Sequence, residues 1–156
     1  MKKPSFFDVL ICTGFGSGFS PFAPGTAGAF VATLIWLGLS FFVSKYILII
    51  TIALILVFTL LGIRCATRIE RSWGEDPSRV VVDEMVGVWI SLVAVPAGHL
   101  IYTLLAFCLF RLFDIFKPLG IRKMENFKGG TGIMMDDILA GVYSFLIIVL
   151  ARWLIN

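Results

Sequence analysis

The sequence predicts an all-α integral membrane protein: a multi-helix bundle of about five hydrophobic helices, some of them short, behind a Gly-rich N-terminal segment. Three observations carry this reading. Hydrophobic residues make up 59% of the 156 positions and mean hydropathy is +0.99. Only 15% are charged, whereas soluble domains carry about a quarter. Apolar runs close to the minimum length for crossing hydrocarbon recur along the chain, separated by segments that hold most of the Lys and Arg.

The elements follow in order. The first run is Thr26 to Val43 and the second Tyr46 to Ile63, separated only by Ser44 and Lys45, so they form an antiparallel hairpin. Arg64, Arg68 and Arg71 recur at helical spacing and extend the second helix as an amphipathic stem. Gly74-Glu75-Asp76-Pro77-Ser78 ends it. A third helix is expected from near Val80 to about Val95 and a fourth from Leu100 to about Phe116, turning at Pro96-Ala97-Gly98-His99. Two short crossings are preferred to one because they place the Arg/Lys-rich loops 64–79 and 111–128 on the same, cytoplasmic side. Lys117-Pro118-Leu119-Gly120 stops the fourth helix, a polar segment leads to Gly129-Gly130-Thr131-Gly132, and the last helix runs from about Met134 to Ile155. Lys2 and Lys3 put the N-terminus on the cytoplasmic side, and Arg152 must then reach the opposite interface. The start of the chain lacks the apolar core and cleavage site of a removed signal peptide. One domain, residues 1–156, accounts for the chain.

The net charge of +3 and the absence of a basic stripe argue against nucleic acid. Cys12, Cys65 and Cys108 are dispersed and odd in number, which suits buried apolar residues better than a disulfide or zinc framework. Cys65 and Arg71 share the C-x5-R spacing of cysteine phosphatases, but the residues between read as helix. His99, the sole histidine, falls in the far turn and leaves no partner for imidazole chemistry.

The informative residues are ionisable groups beside apolar helix. Asp83 and Glu84 lie where the third helix begins, Arg111 and Asp114 near the end of the fourth, and Asp136 and Asp137 at the start of the fifth. All fall at one depth. Acidic residues also cap helices, but two acidic pairs plus Asp114 inside a helix favour a site. Such carboxylates repel unless a cation neutralises them, and an oxygen-rich set suits Mg²⁺. Asp83, Glu84, Asp136 and Asp137 are therefore the candidate metal ligands, and Asp83, Asp114, Asp137 and Arg111 the candidate catalytic groups. Gly87 and Ser91 share a face with Glu84, and Ala140, Gly141 and Ser144 with Asp137, small residues that let membrane helices approach. Arg111 and Lys117 are candidate phosphate contacts, whereas Arg122 and Lys123 read as ordinary positive-inside charge. Gly14-Phe15-Gly16-Ser17-Gly18 through Pro24-Gly25-Thr26 reads as an anion nest or as an irregular segment on the membrane surface. Ser17 and Thr26 add phosphate contacts on the first of these readings, and Thr26 is also a candidate cap of the first helix.

Taken together, these blocks resemble the phosphatidylglycerophosphatase A family: Gly14-Phe15-Gly16-Ser17-Gly18 with Ser20-Pro21 and Pro24-Gly25-Thr26; Val82-Asp83-Glu84 with Gly87 and Trp89; and Phe110-Arg111 with Asp114, Lys117-Pro118, Ile121-Arg122, Gly129-Gly130, Gly132-Ile133-Met134, Asp136-Asp137 and Ala140-Gly141. Lys128 stands where some relatives have His, so no catalytic role is given to it. The resemblance implies a multi-pass enzyme of the bacterial inner membrane with its active site facing the cytoplasm. It would hydrolyse phosphatidylglycerophosphate to phosphatidylglycerol and inorganic phosphate with Mg²⁺. Competing readings are a phosphatase of another lipid or isoprenoid phosphate, a small membrane transporter with charges spread across the membrane's depth, and a non-catalytic scaffold. The sequence does not define an oligomeric state.

Overall fold

The computed structural model describes residues 4–155. The orientation expected from Lys2 and Lys3 concerns residues outside that range. Among the described residues the regular structure is helical: α1 (Phe6–Cys12), α2 (Pro24–Phe42), α3 (Ile47–Trp73), α4 (Val82–Leu92), α5 (Leu100–Phe116) and α6 (Gly130–Ile155), with short 3₁₀ turns at Ser17–Phe19, Ser44–Tyr46 and Ile121–Asn126.

The five expected apolar helices correspond to α2–α6. Three segments, Pro24–Phe42, Ser44–Trp73 and Gly130–Ile155, are long and apolar enough to cross a membrane. The other two, α4 with 11 residues and α5 with 17, are the short pair joined through Pro96–His99. Contacts along the helices give their directions. Trp36 on α2 donates its indole N–H to Thr51 Oγ1 on α3 at 2.9 Å, and Trp89 on α4 donates to the Ala32 carbonyl at 3.0 Å. Both buried indoles thus have partners, as they must in an apolar interior. The Gly130 N–H, at the start of α6, donates to Thr67 Oγ1 near the end of α3 at 2.9 Å. At the other end of α6, Arg152 donates to the Ala94 carbonyl in the α4–α5 turn at 2.6 Å. So α2, α4 and α6 run one way, and α3 and α5 return. From Asp137 to Arg152 the rise is about 22 Å at 1.5 Å per residue, most of a hydrocarbon layer about 30 Å thick.

α4 is the centre of the bundle. Apart from Glu84 and Ile90 its residues are buried, and α2, α3, α5 and α6 all pack on it. The seam with α6 is made by glycine. A Cβ on Gly141 would come within 2.4 Å of the Gly87 carbonyl oxygen, and one on Gly87 within 2.8 Å of the Asp137 carbonyl oxygen. The expected small-residue faces therefore form the tight crossing of α4 with α6. The outward faces are apolar, with Ile49, Leu56 and Leu60 of α3 and Leu146 and Leu150 of α6 exposed, as suits contact with lipid.

Several boundaries differ from expectation. α2 begins at Pro24 with Ala23 as its N-cap, so Thr26 lies inside the helix and does not cap it. Proline is favoured at that first position because the N–H it lacks would be unpaired anyway. α4 ends at Leu92, earlier than Val95, and α6 begins at Gly130 rather than Met134. α1 was not anticipated. Ser5 caps it by accepting from the Asp8 N–H at 3.1 Å and donates in return to Asp8 Oδ2 at 2.8 Å, a reciprocal cap. Asp8 is buried and pairs with Arg68 of α3 at 3.3 Å, while Phe6 and Phe7 are exposed. Cys12 and Cys65 are buried, but Cys108 is exposed on α5, so the expectation of three buried cysteines holds for two. The Cys65–Arg71 stretch is helical, and His99 sits in the far turn as the N-cap of α5.

Candidate active site

The site is assembled from the near-side ends of α2, α4, α5 and α6. Asp83 and Glu84 occupy the first turn of α4, where negative charge complements the helix dipole. That turn is fixed from both sides. The Val81 N–H donates to the Cys12 carbonyl at 2.7 Å, and Val81 packs so closely under α2 that a Cβ on Gly28 would lie 2.7 Å from it. The start of α2 also reaches the carboxylates: a Cβ on Gly25 would lie 2.0 Å from Glu84 Oε1 and 3.4 Å from Arg111 Nη1. Only glycine permits that approach.

Asp136 and Asp137 stand nearly two turns into α6. They are not caps, and the neutral explanation for acidic residues at a helix start does not apply to them. Asp137 is 2% exposed. The α4–α6 glycine crossing lies one turn further along and draws Asp137 towards α4. Asp83, Glu84 and Asp137 each place a carboxylate oxygen within 4.8 Å of the others. Among the described residues, Asp83 Oδ1 and Glu84 Oε2 are buried with no hydrogen-bond partner. Buried polar atoms are nearly always paired, so an oxygen-only cluster with free lone pairs fits a hard divalent cation such as Mg²⁺.

Two cations flank this cluster. Arg111 pairs with Asp114 one turn along α5, and its Nε lacks a partner. Lys117, the residue after α5, has left-handed backbone angles (φ 47°, ψ 50°), uncommon for a side chain with a Cβ. It donates to Asp136 Oδ2 at 2.5 Å and to Glu125 Oε1 at 2.7 Å. Burial alone would lower the pKa of the Lys117 ammonium, but its bonds to Asp136 and Glu125 more than reverse this and hold it above the ordinary lysine value. These groups line a cavity of about 910 Å³, walled also by Ala23, Pro24, Glu70, Glu75, Asp76 and Asn126.

Of the residues singled out from the sequence, Asp83, Glu84, Arg111, Asp114, Lys117, Asp136 and Asp137 all line this one cavity. Asp136 lies outside the three-carboxylate group and is paired with Lys117 instead. Ser17 and Thr26 are corrections. Ser17 donates to the Thr13 and Gly14 carbonyls at 3.2 and 2.9 Å and is not in the cavity wall. Thr26 faces a separate apolar groove. The Gly-rich segment acts by packing, since a Cβ on Gly18 would collide with the Arg79 carbonyl at 2.2 Å. It is the Pro24-Gly25 end that reaches the charged cavity. Arg122 and Lys123 are exposed and stay out of the wall. Sequence reasoning missed Glu70, Glu75, Asp76 and Glu125, whose only signal was proximity to the predicted loops on the same side.

The phosphatidylglycerophosphatase A family model matches residues 10–152. A Bacteroides thetaiotaomicron protein named "Putative phosphatidylinositol-3-phosphatase" is 64% identical, covering all of both chains. Proteins named phosphatidylglycerophosphatase A are similar in Haemophilus influenzae, at 38% over 95% of this chain and 91% of the relative, and in Escherichia coli, at 36% over 86% and 77%. No solved structure matches. With its acidic residues gathered at one end of an apolar helical bundle, the chain belongs to the phosphatidylglycerophosphatase A family.

Proposed function

We propose that this protein is a Mg²⁺-dependent phosphatase that removes the terminal phosphate of phosphatidylglycerophosphate, yielding phosphatidylglycerol and inorganic phosphate. Its site faces the cytoplasm from a bacterial inner membrane. The observation that carries the reading is the convergence of Asp83, Glu84, Asp137 and Arg111 in one cavity at one end of the bundle. A lipid headgroup resides at that depth, and the family relatives named as phosphatidylglycerophosphatases add to the argument.

In this mechanism Asp83, Glu84 and Asp137 would hold Mg²⁺, with Asp136 close by, and the ion would supply positive charge to offset that on the phosphoryl oxygens. Arg111, oriented by Asp114, donates to those oxygens, which is most of what phosphoryl transfer requires. Asp114 is thereby a positioning residue, since its carboxylate is engaged with Arg111. Lys117, held by Asp136 and Glu125, supplies a second fixed positive charge in the cavity wall. Water, or an Asp carboxylate followed by water, forms the new P–O bond. The bond from phosphorus to the headgroup oxygen breaks, and that oxygen leaves as an alcohol after taking a proton.

A second substrate is favoured by a specific observation. The 64% identical relative carries a name for 3-phosphate removal from phosphatidylinositol phosphate, and both substrates are phosphomonoesters on a lipid headgroup. The transporter reading expects charge at several depths, whereas every acidic residue here except Asp8 lines one cavity. The test is phosphate release by purified protein from vesicles containing either lipid, with Mg²⁺ or with EDTA. The proposal expects Mg²⁺-dependent release, fastest from phosphatidylglycerophosphate. Faster release from phosphatidylinositol 3-phosphate would transfer the assignment to that lipid, and release from neither would end it.

A further inference from the structure

The charged cavity has an apolar neighbour. Phe22, Ala23, Thr26, Ala27, Phe30 and Phe107 line a groove of about 390 Å³ between the first turns of α2 and the middle of α5. Ala23 belongs to both walls, so the two spaces meet at the start of α2. On α5, Phe107 lies one turn before Arg111 and on the same helix face. On α2, Thr26, Ala27 and Phe30 follow directly on Pro24 and Gly25, which wall the charged cavity. The groove thus begins beside the carboxylates and runs with α2 towards the opposite membrane face. Its flank is open: Phe22 is 84% and Phe30 54% exposed, and the Phe30 and Phe107 rings meet edge to face at 6.4 Å across the seam. Thr26, which contributes nothing to the phosphate site, has its place here.

We infer that this groove seats an acyl chain of the phospholipid whose phosphate enters the Arg111 cavity, so that substrate arrives sideways from the bilayer between α2 and α5. The inference rests on the lipid-phosphatase reading above. A membrane phospholipid holds its phosphate at the interface with its chains directed to the mid-plane, and the two joined spaces present charge and apolar lining in that order. A water-soluble phosphate ester would fill only the first space. The groove therefore sets the preference for membrane-anchored esters.

Two experiments test this. In the first, the wild-type protein in vesicles is irradiated with a diacyl phospholipid carrying a diazirine in mid-chain, and the labelled peptides are mapped. Label on Phe22–Phe30 and around Phe107 is expected. Label confined to the outward faces of α3 and α6 overturns the inference, as does a crosslink showing that a second copy of the chain covers Phe30. In the second, Ala27→Phe narrows the groove. The ratio of kcat/KM for a short-chain soluble phosphate monoester to that for a long-chain lipid phosphate should rise at least tenfold, and an unchanged ratio overturns the inference. Groove labelling without phosphate release from any lipid would sink the phosphatase reading while leaving a lipid site. Release without groove labelling would do the reverse.

Discussion

Asp137→Asn separates a functional carboxylate cluster from a merely structural one, because the two accounts predict opposite signs. Asparagine is nearly isosteric with aspartate and removes one charge. Asp83, Glu84 and Asp137 place oxygens within 4.8 Å of one another. Two full charges at that separation repel by about 3.5 kcal/mol at an effective dielectric near 20, and the substitution relieves two of the three pairs. The Arg111 guanidinium in the same cavity already offsets part of this repulsion, so a gain of about 1–3 kcal/mol is expected for the metal-free variant. In a chain of this size that is a rise of about 2–4 °C in Tm per kcal/mol. With Mg²⁺ at a hundred times its Kd the wild type should gain about 2.7 kcal/mol, and the variant should lose most of that gain together with phosphate release. The assay is thermal unfolding of detergent-purified protein in EDTA and across a Mg²⁺ titration, paired with phosphate release. A variant less stable than wild type in EDTA, with an undiminished Mg²⁺ shift, would refute the reasoning and make Asp137 a hydrogen-bonding strut.

Other expectations follow from the same geometry. Arg111→Lys keeps the charge but loses the planar fork that engages Asp114, so kcat should fall by about 10²–10³ with the fold retained, as read by phosphate release and circular dichroism. Lys117→Met removes the ammonium that Asp136 and Glu125 stabilise. Because the folded pKa is raised above 10.5, the stability from this pairing is present below that pH and is lost as pH climbs past it. Thermal unfolding between pH 7 and 12 should show an alkaline decline in the wild type that is shallower in the variant. Gly141→Ala drives a methyl against the Gly87 carbonyl, which it would approach to 2.4 Å. A loss of about 1–3 kcal/mol is expected from overpacking, visible in Tm and accompanied by reduced turnover as α4 and α6 separate.

Much of this arrangement was legible in the sequence because the membrane restricts the choices. Apolar runs bounded by charge have to become helices, and α5 spans Leu100–Phe116 as its composition predicts. The short link Ser44–Lys45 and the turn at Pro96–His99 imposed the antiparallel order that brings Asp83 and Asp137 to the same level. The small residues Gly87 and Gly141 announced the crossing that joins them. What the sequence concealed depends on particular contacts. Ser17 resembles a phosphate ligand in a glycine-rich segment, yet its hydroxyl is consumed by the Thr13 and Gly14 carbonyls. Asp136 and Asp137 are adjacent and chemically alike. The left-handed turn at Lys117 decides that Asp136 takes the lysine while Asp137 joins the cluster. The α1 cap at Ser5-Phe6-Phe7-Asp8 did carry a local signal, an S-x-x-D spacing, but its seven residues are too few to stand out from the apolar background.

The claim on which the account turns is that carboxylates from α4 and α6 together form one divalent-cation site. Electron paramagnetic resonance of Mn²⁺ titrated into the purified protein measures it directly. Saturable Mn²⁺ binding that Mg²⁺ displaces, and that Asp83→Asn and Asp137→Asn each abolish, is the predicted result. Absence of saturable binding, or binding indifferent to both substitutions, would contradict it.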